Sequence, residues 1–217
     1  MNNEDQSNIP VGQPGPYKEI RRTIMNIFKV AKLPKPTDPI TRPDGLDTRL
    51  DSVLVAQLDN LDSDGGEACE LLIKITESID TELAAIDEIS RPVELISEPR
   101  RIVNVVYWVE TEINNGGLSQ FYFNSAGDNA VIAPSLLRKI DLHDLASIIE
   151  RANAHFPNAT PPRDREQRMD ILDDVEEQAE DAWSELESEF HQKNIICQPE
   201  LIKHIRANRI AFFKLDE

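Results

Sequence analysis

Apolar residues recur at three- and four-residue steps along most of the chain after Leu46, the spacing of one buried helix face. Leu50, Val53, Leu54 and Leu58 mark one helix. Leu72, Ile75, Ile79, Leu83 and Ile86 mark a second, with Asp64 and Glu67 at capping-box spacing in front of it. Further helices are predicted over residues 131–140 and over 142–156, where Leu145, Ile148 and Ile149 lie inside. The break PNATPP, residues 157–162, precedes the longest predicted helix, 164–190, and a last one after Pro199 carries Leu201, Ile205 and Phe212. The pattern predicts an all-α fold: one compact multi-helix domain over residues 46–217, behind an N-terminal extension over 1–45.

The extension divides by the same criterion. Residues 1–16 are polar and proline-bearing, with nothing that could form a core, and are expected to be disordered. Residues 17–33 place Ile20, Ile24, Ile27, Phe28 and Ala31 at helical spacing with Lys and Arg between them, a basic amphipathic helix. Pro34, Pro36, Pro39 and Pro43 then forbid a regular helix and read as an extended linker.

One stretch resists the helical pattern. EINNGGLSQFYFN, residues 112–124, sets Asn-Gly between apolar flanks, which locally signals a β-hairpin. A lone two-stranded hairpin is marginal, and no other convincing strand is present to extend it. Upstream, Ile102, Val106, Val109 and Ile113 share one helical face. The expectation is therefore a helix C-cap at Asn114, Asn115, Gly116 and Gly117, with a glycine in the left-handed conformation, then a short aromatic helix docking into the core.

Charge changes the picture more than composition does. The chain carries 23 basic and 40 acidic residues, net −17. Up to Leu50 there are 8 basic against 6 acidic; beyond it, 15 against 34. Such a field repels nucleic acid and anionic membrane and attracts cationic surfaces, so a basic macromolecular partner is expected. No apolar run approaches the ~18 residues of a membrane span, and the first residues lack the regions of a signal peptide, which points to the cytoplasm.

Little in the chain looks like catalytic or cofactor chemistry. GxSxG, Walker A, GxGxxG and HExxH patterns are missing, and the spacing of His191, Cys197 and His204 matches no common zinc site. Cys69 and Cys197 form no CxxC pair and read as reduced thiols. The run NLDSDG, residues 60–65, matches the first half of a calcium loop, but the twelfth position is Leu71 where a bidentate Glu is needed. A polar turn with an N-cap is the favoured reading. No cofactor and no metal is predicted.

Residues 164–190, DREQRMDILDDVEEQAEDAWSELESEF, hold 12 acids against Arg165 and Arg168. Leu172, Val175, Ala179, Ala182, Trp183, Leu186 and Phe190 form one stripe that must pack on the domain. Glu166, Asp170, Asp173, Asp174, Glu177 and Asp181 fall opposite it, an outward acidic ridge. A solvated face would look the same, but like charges at i,i+4 each cost a few tenths of a kcal/mol, so helix stability does not explain them. Twelve carboxylates over the ~40 Å length of 27 residues give one per about 3.4 Å, close to the phosphate spacing of one DNA strand.

With Asn115, Gly116 and Gly117 followed by Gln120, Phe121 and Asn124, then an alanine-bearing helix and HFPNATPPRDREQR before the acidic helix, residues 97–190 resemble the small bacterial DNA-mimic protein family. The resemblance implies an all-helical domain that presents acidic side chains in a DNA-like arrangement to a helix-turn-helix transcription regulator, displacing it from its operator. Two other readings stay open: an immunity-type or scaffold module for another basic protein, and an enzyme or small-ligand domain with a polar pocket near Asn115, Gln120, Tyr122 and Asn124. The basic helix of the extension could act as a competitor for the acidic surface, as the clasp of a homodimer, or as an ordinary packing helix.

Overall fold

The computed structural model describes residues 43–63, 65–87 and 91–215. The polar start, the basic helix and nearly all of the proline linker lie outside them, as does Asp64. Among the described residues seven α-helices follow one another: α1 (Val53–Asn60), α2 (Gly66–Ile86), α3 (Glu98–Phe123), α4 (Ala133–Arg138), α5 (His143–Asn153), α6 (Arg165–Gln192) and α7 (Gln198–Ala207). No regular strand occurs among the described residues, and the fold is all-α. A parallel β-bridge between Leu50 and Phe213 ties the entry of the domain to its last described segment through Leu50 N to Phe212 O and Lys214 N to Leu50 O, both 2.8 Å.

α3 is the hub, packing against α2, α4, α6 and α7. It can do so because it is apolar on several sides: Ile102, Val103, Val105, Val106, Val109 and Ile113 are all buried. β-branched residues are mediocre helix formers, and here burial against four neighbours outweighs local propensity. An ion pair between Arg100 of α3 and Glu82 of α2, at 2.7 Å and with both side chains no more than 4% exposed, joins the two. α7 closes the last turn of α1, where the Arg206 guanidinium donates to Leu58 O and Leu61 O and so satisfies carbonyls that a helix end leaves open. Phe212 lies beyond α7, after a short 3₁₀ turn, and is buried there.

Helix starts differ from the pattern: Leu50 lies in the β-bridge, so that α1 begins only at Val53, and α4 begins at Ala133, after a turn at Val131 and Ile132. α2 begins at Gly66 with Gly65, not Asp64, as its N-cap and with no side-chain cap, so the capping-box spacing is not used in that form. Glu67 is then at the second helical position, one short of where a capping box needs its acid.

Candidate partner-binding surface

α6 is a 28-residue helix because nothing within it interrupts one: it contains neither Gly nor Pro, and Pro161 and Pro162 precede it. Asp164 caps it, its carboxylate accepting from Gln167 N at 3.0 Å. Leu172, Val175, Ala179, Trp183, Leu186 and Phe190 are buried, while Ala182 is half-buried at the edge of the stripe. Each large apolar side chain on it contributes about 1.5–3 kcal/mol by burial. Trp183 stacks on Tyr122 of α3, with ring centroids 5.0 Å apart and planes at 23°, and this contact fixes the rotation of α6 about its axis.

That rotation sorts the twelve acids. Glu166, Asp170, Asp173, Asp174, Glu177 and Asp181 are all exposed, and so are Glu180 and Glu185 beside them. The rest serve the fold. Asp164 is the cap. Glu176 is buried and accepts from Ser119 Oγ. Glu187 accepts from Leu118 N at 2.7 Å. Glu189 pairs with Arg151 and Lys193, which hold its carboxyl below the usual range. The sequence-level spacing of one carboxylate per about 3.4 Å therefore shrinks in density: the eight exposed acids from Glu166 to Glu185 span about 28 Å of axis, one per about 4 Å. Past Asp181 the same face carries Ser184 and Ser188, so the ridge ends there.

Neither arginine of the acidic helix lies on the ridge. Arg165 donates through Nε to Phe123 O at 3.0 Å and its guanidinium sits 5.1 Å from the Phe123 ring centre. Arg168 is fully buried, bonded to four backbone carbonyls and to Asp128. The sequence offered one signal for this. Arg168 lies four residues before Leu172 on the inward stripe, where a charge has no reason to be unless it is paired.

The Asn-Gly-Gly stretch sits on the inner side of α6 and not on its acidic face. Asn114, Asn115 and Gly116 are exposed and Gly117 half-buried. The helix kinks there and resumes: Gly116 has φ −165°, ψ 24°, and Gly117 φ 74°, ψ −169°. Gly117 is thus not in the left-handed helical conformation expected of a C-cap glycine but in a region only glycine enters without strain. Beyond the kink Leu118, Phe121 and Tyr122 are buried, and the Tyr122 hydroxyl donates to Asn153 Oδ1 at 2.7 Å. The Glu112 carboxylate accepts from Gln120 Nε2 at 2.7 Å and Asn124 Nδ2 at 2.8 Å, bridging the kink from both sides.

The kink frees the Leu118 N–H, and Glu187 of α6 takes it. A Cβ on Gly117 would lie 2.3 Å from Glu187 Oε1, so the bond requires the glycine twice, for backbone and for space. Gly117→Ala is expected to cost about 2–4 kcal/mol, from the backbone strain and the lost bond together. Glu187→Ala removes the bond alone, at about 1 kcal/mol. In urea denaturation the double variant should fall short of the sum, because the alanine already displaces the carboxylate. Strict additivity would show that the two do not act as one unit.

An all-helical domain whose longest helix turns eight acids outward is the class that fold and surface define. A model of the family described as DMP19-like protein matches residues 94–208, more than half of the chain, and the chain belongs to that family, one of DNA-mimic proteins. No curated protein and no solved structure matches it. No helix among the described residues is long and apolar enough to cross a membrane.

Proposed function

We propose that the protein is a non-enzymatic DNA mimic that occupies the DNA-binding face of a basic, helix-turn-helix type transcription regulator and so competes with its operator. Glu166, Asp170, Asp173, Asp174, Glu177 and Asp181 are its contact residues. The observation that carries this reading is that eight acids of α6 are exposed along one helix, from Glu166 to Glu185. A merely solvated helix face would be expected to interleave Lys or Arg with its acids for i,i+4 pairing, and this face has none.

Affinity capture from the native host tests the reading directly. A basic DNA-binding protein should be recovered, be released by added operator DNA, and bind with an affinity that falls steeply with salt. Recovery of a partner with no affinity for DNA would replace this reading with that of an immunity-type or scaffold module.

A further inference from the structure

A cavity of about 320 Å³ opens between α2, α3 and the segments that follow α3 and precede α6. Its volume, about that of ten waters, is at the lower end for small-molecule sites. On the α3 side, Asn104, Trp108 and Glu112 follow at four-residue steps, and Asp80 of α2 faces them. Asn124, from the kinked end of α3, and Arg91, before the next helix, also line it.

Three acids and three arginines line this cavity, and of these Asp128, Arg163 and Arg165 are bonded to Arg168, Glu94 and Phe123 O. Glu112 is 8% exposed, and its hydrogen-bond donors are two neutral amides, from Gln120 and Asn124, both on Oε2. Among the described residues no Lys, Arg or His pairs with it. Retaining a carboxylate so far from water without a cation is costly. Asp80 accepts from Asn104 Nδ2 at 2.9 Å and from Trp108, again neutral donors, and burial raises its carboxyl above the ordinary range although Arg91 pulls the other way. Arg91 is exposed, and no described residue accepts a hydrogen bond from its guanidinium. Leu83, Val93 and Val105 supply apolar wall.

We propose that this cavity binds a free α-amino acid with an apolar side chain, its ammonium held by Glu112 and Asp80 against the Trp108 indole and its carboxylate by Arg91. An ammonium supplies a charged donor to two acids whose hydrogen-bond donors are neutral, and it is attracted to the indole face. Arg91 offers the fork that a carboxylate takes in a bidentate pair. A zwitterion also adds no net charge to a chain of net −17. The site does not depend on the ridge, since none of its six acids lines the cavity. It also places Glu112 and Asn124 of the signature stretch at a ligand.

Calorimetry on the full chain with L-leucine, isopentylamine and 4-methylpentanoate tests this, the last two each keeping one pole of leucine. L-leucine should bind once per chain, and each single-pole compound at least about tenfold more weakly, a loss of about 1.4 kcal/mol or more. Glu112→Gln should abolish binding. Because that variant also disturbs the bonds to Gln120 and Asn124, the exposed Arg91→Ala is the second test. It should weaken L-leucine by about tenfold or more and leave isopentylamine unchanged. Absence of binding by L-leucine, L-methionine and L-phenylalanine at millimolar concentration overturns the proposal. So does isopentylamine binding as tightly as L-leucine, or leucine binding that Arg91→Ala and Asp80→Asn both leave intact.

Discussion

Replacing Arg168 with methionine is expected to lower stability by about 3–5 kcal/mol, a fall in Tm on the order of 10 °C for a domain of this size. Methionine keeps the stem of the side chain to about the position of Nε, so most of the loss is one of bonds and less of it one of packing. Arg168 is 0% exposed and donates to Tyr122 O at 2.6 Å, Pro162 O at 2.7 Å, Arg163 O and Asn124 O at 3.0 Å, and Asp128 Oδ1 at 2.6 Å. Four backbone carbonyls would each lose a donor, Asn124 O keeping Gly127 N, and Asp128 would lose the guanidinium that opposes the effect of burial on its carboxyl. These carbonyls belong to the end of α3, the turn after it and the turn into α6, which this guanidinium joins. Gly127 leaves it room, since a Cβ there would lie 2.9 Å from Arg168 Nε and 2.8 Å from Phe121 O. Lysine should not rescue the variant, having three donors on one point where the site requires a planar fork. Hydrogen exchange should rise first over residues 122–128. An Arg168→Met protein melting within a degree or two of the parent would show that the network is dispensable.

How far the chain announced this architecture depends on how local each determinant is. α2 and α6 were legible because their apolar residues follow one face of a 3.6-residue period, and residues such as Leu72, Ile79, Leu172 and Leu186 are buried as that period requires. α3 was harder. Its Asn-Gly step carries a true local preference for a hairpin, and what overrides it is distant: the Glu187 carboxylate from α6, the Tyr122–Trp183 stack, and the absence of a strand partner. The same non-locality hid the sorting of the acids. On a helical wheel Glu176 and Glu187 are simply acids flanking the stripe, and only Ser119 and Leu118, contributed by α3, make them internal groups. Arg168 was visible as an anomaly, a charge on an apolar face, yet its partners come from loops whose course no periodicity describes. The cavity was the least legible feature, since Asp80, Glu112 and Arg91 stand in three separate segments and form no motif.

Charge reversal along α6 should separate fold from function in the opposite way to Arg168→Met. Asp170, Asp173, Asp174, Glu177 and Asp181, all changed to Lys, alter exposed positions on one helix. Lysine is a better helix former than aspartate, and the change turns the i,i+4 pairs made with Glu166 and Glu185 attractive while the like-charge pairs among the five stay like-charged, so Tm should hold. Binding to a captured basic regulator should collapse. An exposed ion pair is worth up to about 1 kcal/mol, and five of them lost give roughly 5 kcal/mol at low salt, a factor above about 10³ in Kd. Reversal puts repulsion in place of attraction and pushes the loss further. The difference between parent and variant should narrow as salt rises, because at about 1 M the screening length is near 3 Å, shorter than the reach of the ridge's field. Reversing exposed acids elsewhere, Glu67, Glu70 and Glu77 of α2, changes net charge with the ridge intact and should cost far less. Equal losses from the two sets would mean that overall charge attracts the partner and that α6 is no special surface. Unchanged affinity in the five-fold variant would remove the ridge from the binding reaction altogether.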